Sequence, residues 1–119
     1  MDDEIAILKL LRNCLESVGW RVSGFTSPRQ ALAVFRDAPD EFTAIISDQT
    51  MPGMGGSELI GVLHELRPHL PAILCTGYSD GLDAATAQQQ GIRRLLLKPV
   101  DSDELLAALD QAVAEEASP

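Results

Sequence analysis

The sequence predicts an α/β fold, a parallel sheet covered by helices on both faces. Three observations predict it. Segments with helical spacing alternate strictly with short apolar, strand-like runs. One of those runs, Ala44 to Ile46, ends near a lone carboxylate, Asp48, and Pro52, Gly53, Gly55 and Gly56 then make a tight loop before Ser57 opens a helix. Finally, 119 residues with 45% hydrophobic but only 4% aromatic content describe one domain with a core of Leu, Ile, Val and Ala.

The first helix is expected from Ile5 to about Val18, because Ile5, Leu8, Leu11, Leu15 and Val18 fall on one stripe, with Lys9, Arg12 and Glu16 largely off it. The acidic residues Asp2, Asp3 and Glu4 precede it, where the helix dipole favours them, and Gly19 is placed to end it. Trp20 to Thr26 alternates and reads as a strand nearer a sheet edge. Ser27 as N-cap and Pro28 at the first helical position start a second helix, buried through Ala31, Leu32, Val34 and Phe35 and fading at Asp37 to Pro39.

Ala44 to Ile46 is then a strand buried on both faces. Ser57 caps a helix carrying Leu59, Val62, Leu63 and Leu66 and stopped by Pro68; Pro71 to Cys75 is the next strand. Gly81 to Gln90 is a helix rich in alanine and glutamine with a weak apolar face, expected to be the least firmly docked and the moving, partner-contacting element. Arg94 to Leu97 is a strand, and Asp101 to about Glu115 the closing helix, with Leu105, Ala108, Leu109 and Ala112 as its stripe.

Eighteen acidic against nine basic residues give a formal charge of −9, which opposes direct nucleic-acid binding and attachment to anionic lipid. Cys14 and Cys75 have no metal-type spacing and read as free thiols in a reducing compartment. No apolar stretch approaches the ~20 residues that span a bilayer, so membrane insertion is not expected and a cytoplasmic location is. Linkers and repeats are absent, and the whole chain is expected to be one domain acting through another protein.

Asp48, Thr76 and Lys98 end successive strands, and in a parallel sheet those ends share one rim with Asp2 and Asp3. Clustered carboxylates suit Mg²⁺, which keeps several waters and completes its octahedron with phosphate oxygens. A hydroxyl and an ammonium are donors suited to phosphoryl oxygens. Together they point to phosphorylation of Asp48 itself, giving an acyl phosphate. Taken singly, a strand-ending Asp caps turns, and Thr and Lys are ordinary strand-end and surface residues. His64 and His69 lack acidic partners at ligand spacing and are read as surface residues.

The acidic pair Asp2-Asp3, Asp48 in SDQTMPGMGG, Thr76 in CTGYSD and Lys98 in LLKPV occur in the right order, each at a predicted strand end or helix start. On these motifs the chain resembles, over essentially its whole length, the receiver domain of two-component response regulators. That resemblance implies a flavodoxin-like doubly wound sheet of order 2-1-3-4-5 with five helices. It further implies Mg²⁺ held by Asp3, Asp48 and the backbone carbonyl of Thr50, with Asp2 acting through water, and Thr76 and Lys98 binding the phosphoryl group. A histidine kinase or histidine phosphotransfer protein would supply that group, and a downstream protein would read the result. The CTGYSD loop is similar to receivers attached to hybrid histidine kinases.

Two departures stand out. Leu95, three residues before Lys98, occupies the position where many receivers carry an aromatic switch residue, so the usual switch is expected to be altered. Only Met1 precedes the acidic pair, so the first strand, central in the family order, is missing from residues 1–119. That gap leaves three expectations: a start further upstream, a strand lent by another chain with a strand-exchanged oligomer, or direct closure of the flanking strands with loss of metal affinity. The small side chains at Gly77 and Thr50 expose the site to water and predict a short-lived phosphoryl form. Two rival functions remain: a receiver-like interaction platform that takes no phosphate, and a small hydrolase using Asp48 as nucleophile.

Overall fold

A computed structural model describes residues 1–2, 4–50, 53–77, 88–89, 91–98 and 100–117. Its elements are α1 (Ile5–Ser17), α2 (Pro28–Asp37), a 3₁₀ turn (Pro39–Glu41), β1 (Ile45–Asp48), α3 (Gly56–Leu66), β2 (Ala72–Thr76), β3 (Arg94–Leu97) and α4 (Ser102–Ala117). The strands form one parallel sheet in the order β1-β2-β3. The last three strands of the expected order are thus in place. Four of the five expected helices lie among the described residues; the segment from Gly81 to Gln90 falls almost wholly outside them.

Alternation along β2 sorts the core into two layers. Ile73 and Cys75 meet Leu15 of α1 and Leu105, Leu109 and Ala112 of α4 on one face. On the other, Ala72 and Leu74 pack with Ile60 of α3 and Ile92, next to a cluster of Leu32, Phe35, Leu59, Leu63 and Leu70 from α2, α3 and the turn before β2. Every residue of β2 is buried, as the middle strand of a covered parallel sheet requires. Arginines tie the opposite end of the sheet together. Arg67 donates to the carbonyls of Pro39 and Phe42, and Arg93 to those of His69 and Ala112.

Several expectations need correction. Trp20 to Thr26 is not a strand: no ladder forms there among the described residues, and Asp2 N–H donates to Phe25 O at 3.2 Å. A strand needs a neighbour along its length, and here the neighbour reaches only Met1 and Asp2. For the same reason Ala44, Ile45 and Ile46 are half-buried rather than buried on both faces, and the ladder of β1 runs later, to Asp48. The flanking segments also do not close on each other. Ser27 takes the N-cap position of α2 without a side-chain capping bond, leaving Pro28 to set the first turn. Gly19, with φ 99°, does end α1 as expected.

Candidate functional site

The sheet register builds the site. Asp48 pairs with Cys75 and Thr76 with Leu97, and Lys98 N–H donates to Thr76 O at 2.8 Å, so Asp48, Thr76 and Lys98 reach the same rim. Asp2 is brought there by the chain start. Met1 behaves as one residue of a parallel ladder opposite Ser47: its amino group donates to Ile46 O at 2.7 Å, and Asp48 N–H donates to Met1 O at 2.9 Å.

Asp2, Asp48 and Thr76 are polar yet buried, Asp2 and Asp48 being 3% exposed and Thr76 0%. Buried charges need partners. Lys98 Nζ lies 2.5 Å from Asp48 Oδ1, and that oxygen has no further hydrogen-bond partner among the described residues. Asp2 Oδ1 accepts the Glu4 amide at 2.9 Å. The Thr76 hydroxyl donates to Gly77 O at 3.2 Å.

Electrostatics follow this packing. Partial burial pulls the Lys98 ammonium down, but its hydrogen bond to Asp48 and the charges of Asp48 and Asp2 outweigh burial and leave its pKa raised. The Cys75 thiol is pushed up to about 11, first by burial and then by Asp48. At the Met1 amine burial dominates over the attraction of Asp2, Cys75 and Asp48, and the pKa is lowered.

Two buried carboxylates at one rim, with Asp48 Oδ1 contacted by Lys98 Nζ and accepting no further hydrogen bond among the described residues, fit a hard divalent cation that takes oxygen ligands. Asp3 lies outside the described residues, and among those residues no three His, Cys, Asp or Glu side chains cluster around one point. Thr50 is exposed two residues beyond Asp48. Leu95 is half-buried against Ile60, Ala72, Leu74 and Ile92. His64 and His69 are remote from the rim: His64 Nε2 is 2.9 Å from Leu70 O, and His69 O receives Arg93.

Sequence reasoning missed Gln49. Its backbone N–H donates to Cys75 O, its carbonyl accepts Gly56 N–H, and its side chain receives Ser57 N–H at Oε1 and approaches the Ser57 hydroxyl through Nε2, at 2.8 and 3.2 Å. Gln49 thereby caps α3, a role the sequence assigned to Ser57 itself; α3 begins at Gly56 with Gly55 as N-cap. The available signal was an amide side chain placed between the strand-ending Asp48 and a glycine-rich turn. Met1 was missed as a ladder residue because one residue carries no periodicity.

The profile of the response regulator receiver domain matches residues 1–110. Among curated proteins, the chain is 34% identical to the phosphoglycerate transport system transcriptional regulatory protein PgtA of Salmonella typhimurium, over 99% of this chain and 28% of that protein. It is 38% identical to the DNA-binding transcriptional regulator NtrC of Klebsiella pneumoniae, over 96% of this chain and 24% of that protein. The chain thus spans about a quarter of the length of these relatives. Both of those proteins are transcriptional regulators. Among solved structures, a receiver domain protein from Clostridium thermocellum superposes with a TM-score of 0.91 at 28% identity, over 98% of this chain and 92% of that one. A CheY-like receiver from Methanospirillum hungatei gives 0.87 at 28%, over 98% and 91%. With the parallel sheet, the strand-end rim and these matches in agreement, the chain belongs to the response regulator receiver domains of two-component systems, signalling modules rather than catalytic enzymes.

Proposed function

We propose that Asp48 is the phosphoacceptor of this receiver and that residues 1–119 form one such domain, acting in the cytoplasm. The observation that carries the reading is the buried Asp48 carboxylate, contacted by Lys98 Nζ at 2.5 Å beside the buried Asp2. A carboxylate oxygen of Asp48 attacks the phosphorus of a phosphohistidine on a kinase or phosphotransfer protein. The P–N bond breaks, the imidazole keeps its electron pair and takes a proton, and an acyl phosphate remains. Lys98 then shifts from the carboxylate to the phosphoryl oxygens. The Thr76 hydroxyl turns from Gly77 O to donate to the same group.

The family typically uses Mg²⁺. In this chain Asp2, Asp3, Asp48 and the Thr50 carbonyl would hold it, Asp2 through water. When bound, the ion offsets phosphoryl charge. The changed contacts of Lys98 and Thr76 bias the packing of the strand ends toward a form that a downstream protein recognises. Leu95 has no hydroxyl to relocate, so in this receiver that step rests on the repacking of leucine.

Intact-mass measurement after incubation with Mg²⁺ and acetyl phosphate tests the assignment. One acid-labile phosphoryl adduct is expected, lost in Asp48→Asn and formed on the order of tenfold or more slowly in Lys98→Ala. An adduct that survives Asp48→Asn overturns the assignment. No adduct at all, on a folded chain, leaves the platform reading.

A further inference from the structure

The chain leaves the sheet at Gln49, and the way it is held there bears on the residue that follows. Gln49 N–H donates to Cys75 O of β2 at 2.9 Å, and Gln49 O accepts Gly56 N–H at the start of α3, also at 2.9 Å. The side chain spans the same gap a second time: Oε1 accepts Ser57 N–H at 2.8 Å, and Nε2 donates to Ser57 Oγ at 3.2 Å. One residue is thus tied to both β2 and α3, and residues 50–55 lie between the tied ends.

The junction has no slack. A Cβ at Gly55 would come within 3.2 Å of Gln49 O, and one at Gly56 within 2.9 Å of Ser47 Oγ and closer still to Asp48 O, so the first residues of α3 lie directly on the end of β1. Gln49 C=O and the Thr50 nitrogen belong to one rigid peptide plane. With that plane fixed, only the two backbone rotations of Thr50 itself separate the Thr50 carbonyl from a rigid frame. Mg²⁺ demands near-ideal octahedral geometry, and ordering a loose ligand at the moment of binding costs conformational entropy.

We propose that Gln49 is a positioning residue of the metal site: its side-chain clamp on Ser57 holds the Thr50 carbonyl in place for the divalent cation. The proposal rests on the metal set and the Asp48 assignment given above. Gln49 acts through its neighbour, because its own amide is turned to α3. The residue type fits the task. A glutamine amide accepts from a main-chain N–H and donates to a hydroxyl at once, which an apolar side chain of the same length does not, and an asparagine carries the same groups one methylene closer to its own backbone. Capping alone would give a loss of helix stability and nothing more. Positioning gives a loss of metal affinity out of proportion to stability, since groups that orient a metal ligand typically change affinity by about 10- to 100-fold.

The test uses Mn²⁺, which takes the same oxygen donors as Mg²⁺, and follows the loss of its free electron paramagnetic resonance signal on binding to the chain. Gln49→Met keeps the length of the side chain and removes both of its hydrogen bonds. It is expected to weaken Mn²⁺ binding about tenfold and to speed exchange of the Ser57 amide by about as much. Val62→Ala trims a half-buried side chain of α3 away from the clamp; it should lower stability yet leave Mn²⁺ affinity within about twofold. With acetyl phosphate as donor, Gln49→Met should raise the Mg²⁺ concentration at half-maximal phosphorylation by about tenfold and leave the rate at saturating Mg²⁺ within about twofold. Equal Mn²⁺ affinity in the Gln49→Met and unmodified chains overturns the proposal and leaves the Asp48 assignment standing. So does an equal loss in Val62→Ala, which would make helix stability the cause. An unmodified chain that binds no Mn²⁺ overturns the metal set and this role together.

Discussion

The two sides of β1 carry similar residues and reach different states. Toward β2, an apolar strand meets another with a full parallel register, and Ala72 to Thr76 are wholly buried. Away from β2, Trp20 to Thr26 has the alternation of a strand yet forms none, and the apolar residues of β1 stay half-buried. The difference teaches that a strand is a property of a pair: side-chain pattern sets which faces are apolar, but the ladder requires a neighbour whose backbone spans its length.

The comparison is broken most directly by truncating one side chain on each side. Leu74→Ala removes a fully buried side chain of β2 and should cost about 3–4 kcal/mol in denaturant unfolding. Val22→Ala, in the segment that forms no ladder, should cost under about 1 kcal/mol, because Val22 is only half-buried. Similar losses for the two would show the N-terminal side to be as well packed as the sheet.

A close approach should matter nearly as much. A Cβ at Gly56 would lie 2.7 Å from Leu74 Cδ1 and 2.9 Å from Ser47 Oγ, and closer still to the Asp48 carbonyl oxygen. Gly56→Ala should therefore push α3 from β1 and cost about 3 kcal/mol, while Gly61→Ala, with open space around it, should be neutral or slightly stabilising. Thermal unfolding of the pair gives the contrast.

The buried side also has a pH signature. Cys75 has its folded pKa raised from 9.0 to about 11, so its contribution is intact below pH 9 and is lost as pH rises toward 11. A rise of that size corresponds to about 2–3 kcal/mol. Cys75→Ala should flatten that part of the decline between pH 9 and 11, leaving what Lys98, also raised, adds at the upper end. An unchanged slope would place the alkaline loss elsewhere. The smallest effect is expected at Gln49→Ala, about 1 kcal/mol from the lost cap of α3, read by urea midpoint.

These contrasts explain what the sequence made legible. Burial and periodicity located α1, α2, α3, β2, β3 and α4 to within a residue or two, and Asp48, Thr76 and Lys98 came together at one rim because parallel strands end together. The strand at Trp20 failed because its pattern says nothing about its neighbour's length. Gln49 escaped because its role lies in a loop-to-helix hydrogen bond with no spacing rule, and the placement of Met1 depends on two backbone bonds that no side-chain pattern encodes.

The arginine ties at the far end of the sheet have an electrical consequence. Arg67 and Arg93 stand at the amino ends of the strands, where Arg67 donates to the carbonyls of Pro39 and Phe42 and Arg93 to those of His69 and Ala112. Asp2, Asp48, Glu58 and Asp101 crowd the opposite end, where Lys98 already answers Asp48. In a molecule of charge −9 this makes a standing dipole along the strands, negative at the rim. An anionic phosphoryl donor therefore approaches against the field and orients late, only within a Debye length of roughly 8–10 Å. Its encounter rate with this receiver should rise, not fall, with added monovalent salt.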